Sequence, residues 1–288
     1  MVSVGAQDAC GETTCVTVPT FETLAVSLER GVGRVELNRP AKANAINATM
    51  WRELRAAAEW LDATPEVRVG VLAAAGKYFT AGLDLTMFQE LRDGAEEPCG
   101  GRSRERTLRD ILAIQDSVTA FERCRKPVIA AIQGACVGGG IDIVTACDLR
   151  YCSEEAWFSV KEIDVGIVAD VGTLQRLPKL IGEGPARELC YTGRRVEGRE
   201  AAELRLVNRC YPNTQALADS VAELALQIAA KSPLSIRGTK AMITYVRDHS
   251  VADGLNLVAT WNAAMLFSAD LEEVLAAGRE KRAPVFRD

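Results

Sequence analysis

Histidine is almost absent from this chain. The single residue, His249, leaves no room for zinc enzymes built on histidine pairs, nor for Ser-His or Cys-His machinery that does not use it. It lies in Arg247-Asp248-His249-Ser250, which reads as the turn after a helix, so proton chemistry falls to carboxylates. No C-x-x-C pair occurs among the nine cysteines (Cys10, Cys15, Cys99, Cys124, Cys136, Cys147, Cys152, Cys190 and Cys210). Their odd number and scattered spacing exclude a zinc site and a disulfide framework, and no metal is expected. Several sit in apolar runs, where a free thiol acts as a small buried hydrophobe, and a reducing cytoplasm is the expected compartment. No apolar run reaches the ~20 residues of a membrane span. Met1–Thr20 has neither Lys nor Arg and no apolar centre, so it reads as a loose, flexible tail, neither signal nor transit peptide. An excess of positive charge is missing too. The 34 Lys and Arg face 39 Asp and Glu, for a net charge of −5, which argues against a nucleic-acid partner. The cluster Arg102–Arg109 is broken by Glu105 and reads as a solvated face.

What is present is an ordinary globular composition. Of 288 residues, 48% are hydrophobic and 25% charged, enough for a substantial core. A mass of 31.1 kDa scales to a folded surface of roughly 12,000 Å², about a quarter of the unfolded value. Phe21–Glu29 and Val32–Asn38 pattern as strands joined at Arg30-Gly31. Asn47 caps an expected helix to about Asp62, and the almost wholly apolar Val67–Ala74 reads as a strand covered on both sides. Pro127–Gln133 and Leu149–Cys152 continue as strands, with Gly139–Cys147 a helix between them. Asp93–Arg104 reads as a mobile loop before a helix at about Thr107–Glu122. From Thr173 the pattern is helical almost to the end. The expected organisation is a tail over 1–20, an α/β core over 21–210 and a helical oligomerisation region over 211–288. In the last, Leu255, Leu257, Val258, Trp261, Met265, Leu266 and Phe267 pack either on a neighbouring subunit or on their own core; the pattern alone admits both.

Three segments can carry chemistry. In Tyr78-Phe79-Thr80-Ala81-Gly82-Leu83-Asp84-Leu85, Gly82 lets the backbone turn so that N–H groups face a cleft; a plain loop capped by Asp84 is the alternative. Gly138-Gly139-Gly140 stands between a strand and a helix. It offers unpaired N–H groups and a dipole to developing negative charge, or simply close helix packing. It is neither a Walker A loop nor a dinucleotide fingerprint. Glu162 and Asp170 lie among apolar residues, and Ile167, Val168, Ala169 and Val171 would desolvate Asp170 and raise its pKa, as suits a general acid. An exposed turn with Asp170 or Thr173 as N-cap is the other reading.

In this order the segments resemble the enoyl-CoA hydratase/isomerase (crotonase) superfamily over nearly the whole chain from Phe21. Asn38-Arg39-Pro40 with Asn44-Ala45-Ile46-Asn47 is similar to the family's first coenzyme A loop. The similarity to one branch, the Δ3,5-Δ2,4-dienoyl-CoA isomerases, is strongest at Gly139–Cys152, at Val160-Lys161-Glu162 through Asp170-Val171-Gly172-Thr173-Leu174-Gln175-Arg176-Leu177-Pro178-Lys179, and at Tyr245–Val251. The resemblance implies an α/β fold, a crotonase-like β-β-α superhelical spiral with a helical C-terminal trimerisation region. A homo-trimer or homo-hexamer is the implied assembly. It implies that the N–H groups of Leu83 and Gly139 form an oxyanion hole. Asp142, Glu162 and Asp170 match the branch's three acids. Ala41, Lys42, Ala43, Ala81, Gly82, Asp84, Leu85, Thr86 and Gly140 match positions that bind the acyl-CoA thioester.

The implied reaction moves the double bonds of 3,5-dienoyl-CoA to 2,4-dienoyl-CoA within fatty-acid β-oxidation, with no cofactor beyond the coenzyme A of the substrate. Glu162 would take the C2 proton, Asp170 would deliver one at C6, and Asp142 would position or tune the pair. Hydratases carry two glutamates at the first two acidic positions; aspartate at 142 and a third acid at 170 favour proton relocation over water addition. The rivals are an enoyl-CoA hydratase and a non-catalytic acyl-CoA-binding scaffold. Thr86 departs from the family by replacing a basic residue near the coenzyme A phosphates. The closing Phe286-Arg287-Asp288 is not a peroxisomal tripeptide.

Overall fold

The computed structural model describes residues 16–84, 86–87 and 99–288. Residues 1–15, Leu85 and the first part of the expected loop, 93–98, lie outside the described residues.

The chain begins with a hairpin. Strands β1 (Leu24–Glu29) and β2 (Val32–Leu37) pair antiparallel about Arg30 and Gly31, both at positive φ (50° and 81°). Two consecutive residues in that region make the turn whose twist matches the strands it joins. Asn47 then caps α1 (Ala48–Ala63) by accepting from Met50 N, as its side chain predicts. The buried strand β3 (Val69–Ala74) lies parallel to β2. Helix α2 (Gly100–Arg123) starts at Gly100, so the expected loop through Arg104 is corrected there. The glycines and arginines at its start lack the apolar period that marks a helix, and only its second half is buried, at Ser117, Val118, Ala120 and Phe121.

Strand β4 (Val128–Ile132) joins the sheet beside β3. A short strand β5 (Ala135–Val137) leads into α3 (Gly139–Ala146), and β6 (Leu149–Ser153) pairs parallel with β4. Strand β7 (Trp157–Ser159) pairs parallel with β5, and β8 (Val196–Glu197) pairs antiparallel with β7. Between β7 and β8 run a 3₁₀ turn (Glu162–Val165) and helices α4 (Thr173–Ile181) and α5 (Glu183–Thr192). Helix α6 (Gly198–Glu203) and strand β9 (Arg209–Tyr211) complete a six-stranded sheet ordered β1-β2-β3-β4-β6-β9, with β5-β7-β8 as a second, smaller sheet. Strands β5, β7, β8 and β9, none longer than three residues, are too short to show a period.

The main core lies between the sheet and α1, where Val35, Leu37, Met50, Leu54, Leu61 and Leu72 are fully buried. Helix α7 (Thr214–Ala229) covers the other face of the sheet through Leu217, Val221 and Ala225 against Val69, Val71, Ile129 and Ala131. The sheet is therefore closed by a helix that follows residue 210. Beyond it, α8 (Pro233–Tyr245), α9 (Val251–Met265) and α10 (Ala269–Glu280) leave the core. In α9 only Gly254 is buried, while Leu255 is 63% exposed and Phe267 beyond it 89%. Leu257, Val258 and Trp261 are half-buried and Met265 and Leu266 are exposed, so the chain's own packing covers only part of the apolar set.

One ion pair, between the buried Lys240 and the half-buried Asp148, ties this helical region to the sheet. Lys240 of α8 reaches Asp148 Oδ2 at 2.7 Å, and its ammonium also donates to the carbonyls of Phe121 and Lys126. The same carboxylate oxygen accepts from Val128 N, at the start of β4. Removing one partner of a buried pair leaves the other desolvated and uncompensated. Lys240→Met should therefore lower unfolding free energy by about 3–5 kcal/mol in a urea titration. A loss below about 1 kcal/mol would show that the pair is not a tether.

Candidate active site

The loops that follow the parallel strands converge at one end of the sheet, where ligands sit in folds of this kind. The loop after β3 is held by Asn44. Its side-chain amide donates to the carbonyls of Ala75 (2.9 Å) and Tyr78 (2.8 Å), and its Oδ1 accepts from Arg39 N (2.8 Å). Thr80 Oγ1 donates to Asn44 O, and Ala81 N to Ala43 O. One buried asparagine thus fixes the segment containing Ala41, Lys42 and Ala43 against the one containing Ala81 and Gly82. Ala41 and Lys42 are exposed on a 3₁₀ turn, Pro40–Lys42, and Ala43 has a φ of 49°. Asp84 accepts from Arg39 at 3.1 Å and from the N–H and hydroxyl of Thr86. The Thr86 N–H contributes most to lowering its pKa, with Arg39 adding to it. Leu85 lies outside the described residues.

Leu83 bridges Ile46 in parallel register: Ile46 N donates to Gly82 O at 2.8 Å and Asp84 N to Ile46 O at 2.9 Å. In such a ladder the residue between two bonded neighbours turns its own N–H to the opposite side. Among the described residues the N–H of Leu83 has no protein acceptor.

The second loop lies directly against the first. Gly82, at φ 91°, approaches so closely that a Cβ there would stand 3.0 Å from Val137 O. Thr80 N donates to Ala135 O and Val137 N to Thr80 O, so the loop is laced to β5. Gly138 (φ 52°) then starts α3, whose first N–H groups, those of Gly139 and Gly140, have no acceptor among the described residues. The close-packing reading of these glycines holds as well. A Cβ on Gly140 would lie 2.5 Å from Thr80 Cγ2, and one on Gly139 3.2 Å from the indole of Trp51.

The register of β5 with β7 brings the acids to this point. Val137 pairs with Ser159, Gly138 N donates to Ser159 O at 3.0 Å, and Glu162 follows three residues later. Glu162 Oε1 lies 3.2 Å from where a Cβ of Gly138 would be, and its Oε2 is buried without a partner. Burial raises the pKa of Glu162, and the neighbouring charge of Asp170 adds to it. Asp142, in the first turn of α3, is 1% exposed, and its Oδ1 accepts from Thr173 N at 2.6 Å. Burial is the main cause that pushes its pKa up to about 7, with Glu162 and Asp170 raising it further.

Asp170 corrects the sequence reading. Its side chain is exposed, and of the neighbours expected to desolvate it, Ile167 and Val168 are 40% and 71% exposed; only Ala169 is buried. The desolvated aspartate is Asp142. A helix period buries residue 142 inside α3, whereas the segment before α4 faces outward in a single chain. His249 stands apart, stacked on Tyr245 at 3.7 Å with Nδ1 against Tyr245 O, as a turn residue should.

Sequence reasoning missed Asn44 as the pin between the loops and Gln115, whose amide donates to the carbonyl of Asp170 at 2.6 Å. A buried-side asparagine at φ 52° was legible only as part of a motif, and Gln115 gave no signal in a polar helix face.

The profile of the enoyl-CoA hydratase/isomerase family matches residues 27–288. The chain belongs to the enoyl-CoA hydratase/isomerase family. It is 45% identical, over 94% of its length and 99% of the relative's, to a protein of Arabidopsis thaliana named peroxisomal Δ(3,5)-Δ(2,4)-dienoyl-CoA isomerase. To the human protein named mitochondrial Δ(3,5)-Δ(2,4)-dienoyl-CoA isomerase it is 44% identical, over 91% of this chain and 81% of the relative. The crystal structure of an enoyl-CoA hydratase from Bacillus anthracis superposes with a TM-score of 0.82 at 31% identity, covering 92% of this chain and 99% of that one. The crotonase fold is therefore that of this chain. The expectation of a cytoplasmic enzyme is overturned by the organellar names of these relatives. That expectation rests on free thiols and on the lack of a recognisable signal, transit or peroxisomal sequence; free thiols suit any reducing compartment and do not single out the cytoplasm.

Asp142 has a checkable pH signature. Its carboxyl titrates near 7 in the folded chain against 3.8 as a free side chain, so the folded state holds a proton that the unfolded state has lost between those values. Stability accordingly falls as pH rises through that window and levels off above it. Asp142→Asn keeps an acceptor for Thr173 N and removes the buried charge. It should raise the melting temperature at pH 8, at roughly 2–4 °C per kcal/mol, and change it much less at pH 5. Equal shifts at both values would show that residue 142 carries no buried charge.

Proposed function

We propose that this family member is a Δ3,5-Δ2,4-dienoyl-CoA isomerase that moves two double bonds by relaying protons between carboxylates. The observation that carries the reading is the Glu162 carboxylate, one of its oxygens buried, beside Gly138, next to loops whose Leu83 and Gly139 N–H groups have no acceptor among the described residues, with Asp142 and Asp170 within electrostatic reach of it. Curated isomerases at 44–45% identity support it.

The N–H groups of Leu83 and Gly139 receive the thioester oxygen. Two fixed donors, one of them at a helix N-terminus, favour the enolate over the neutral thioester, and such a donor typically contributes about 3–4 kcal/mol. Glu162, with an unpaired buried oxygen beside Gly138, takes the proton from C2. The resulting charge spreads from the thioester oxygen over C2, C4 and C6. Protonation at C6 by Asp170 leaves double bonds at C2 and C4, the conjugated product, and the proton on Glu162 returns to Asp170 through solvent. Asp142 holds the N-terminus of α4 through Thr173 N and positions or tunes the pair of acids. Ala41, Lys42, Ala43, Ala81, Gly82, Asp84, Thr86 and Gly140 form the wall against which the coenzyme A moiety lies. No step requires a cofactor. The third acid, and aspartate rather than glutamate at 142, separate this chemistry from hydration, where two carboxylates hold one water.

The relay is tested by separating its halves in deuterated solvent. Glu162→Gln should abolish both isomerisation and C2 hydrogen exchange, because no enolate forms. Asp170→Asn should retain exchange while losing isomerisation by about 10²–10⁴-fold. Near-normal product formation by Asp170→Asn would leave Glu162 moving both protons.

The assembly is proposed from the same surface. Ile163, Val165, Ile167 and Val168 next to the acids, and Val251, Leu255, Leu266 and Phe267 in the C-terminal region, are all at least 40% exposed. A trimer or hexamer of this chain would cover them and shield Asp170 from water. Sedimentation at micromolar concentration should give a mass that is a multiple of three chains. A monomer that turns over at the full rate would contradict this.

A further inference from the structure

The acid farthest from water-free surroundings, Asp170, is also the one whose own side chain has fewest constraints, yet the relay needs its carboxyl at a fixed place. Its backbone is fixed from three directions. Gln115 of α2 donates from Nε2 to the carbonyl oxygen of Asp170 at 2.6 Å. Two residues on, Gly172 has a φ of 133° and lies so close to Arg176 that a Cβ would meet its guanidinium at 1.9 Å. That guanidinium is itself bound by Glu122 (3.1 Å) and by Thr119 Oγ1 (3.2 Å), both on α2. Thr173 N is held by Asp142. Before residue 169 the chain runs through Ile163–Val168 with its large apolar side chains exposed, so little of the restraint comes from that side.

Of these restraints only Gln115 acts on residue 170 itself. We propose that Gln115 is a positioning residue for the C6 proton transfer: it holds the Asp170 peptide so that the carboxyl stands over the far end of the dienolate. The assignment rests on the isomerase reading given above. Among the described residues, Gln115 lines a groove with Asp170, Gly172 and Arg176 that does not include Leu83 or Gly139, the end where the enolate would form. Its loss therefore disturbs the second half of the reaction and spares the first. A residue that merely supports the fold would disturb both halves alike.

Two variants grade the effect. Gln115→Met keeps the volume and removes the donor. Gln115→Glu keeps the shape and sets a carboxylate against a carbonyl, which repels. Isomerisation of 3,5-dienoyl-CoA and C2 hydrogen exchange are measured on the same enzyme sample in deuterated buffer, with a melting curve for each variant. The expected ratio of isomerisation to exchange falls in the order wild type, Gln115→Met, Gln115→Glu. The last should lose roughly 10²-fold in isomerisation, the scale of about an ångström of misplacement, while exchange stays within about threefold of wild type. Equal slowing of both rates, or an unchanged ratio in either folded variant, overturns the assignment and leaves the isomerase reading intact. A wild type that exchanges C2 hydrogen yet makes no conjugated product overturns that reading, and the role of Gln115 with it.

Discussion

Two loops approach each other in this molecule so closely that neither Gly82 nor Gly140 has room for a side chain. A Cβ on Gly82 would stand 3.0 Å from Val137 O, and one on Gly140 2.5 Å from Thr80 Cγ2. Everything chemical follows from that contact. Among the described residues, neither the N–H of Leu83, in a strand-like bridge, nor that of Gly139, at a helix start, has a protein acceptor. Asn44, with bonds to three backbone groups besides Thr80, keeps the first segment from relaxing away. The entropy lost by so many ordered glycines is offset by the laced β5 pairing and the packing of Trp51 beneath Gly139.

The same contact concentrates negative charge. Three carboxylates lie within electrostatic reach of one another, and a thioester enolate would add a fourth negative centre. Burial answers part of this by keeping Asp142 partly protonated near neutrality, and the N-terminus of α3 answers another part. The acids differ in exposure. Asp142 is sealed inside and bound to Thr173, Glu162 has one buried oxygen without a partner among the described residues, and Asp170 faces outward.

Elements with a strong local signal were legible in the sequence. The Asn47 cap and the apolar β3 stand within a few residues of where the pattern places them, and the chain from Thr173 is largely helical. The short strands β5, β7 and β9 were not, because their pairing is decided by partners distant in sequence. The acids were legible as residues, and the glycine loops as unusual backbone. Their mutual placement was not, since it depends on the β5–β7 register. The burial of Asp170 was misjudged for a related reason: apolar neighbours along the chain desolvate a group only if the fold, or another chain, closes over them. Asn44 and Gln115 bond from their side chains to backbone groups of other segments, which no local pattern announces.

The chemistry proposed for this site relocates a proton along a conjugated thioester and does not add water. The direct measurement is the near-ultraviolet absorbance of the enzyme mixed with a 3,5-dienoyl-CoA, run beside crotonyl-CoA at the same concentration. Rising absorbance of a conjugated 2,4-dienoyl-CoA, with crotonyl-CoA consumed far more slowly, is the expected result. Rapid hydration of crotonyl-CoA with no conjugated product from the diene would contradict the account.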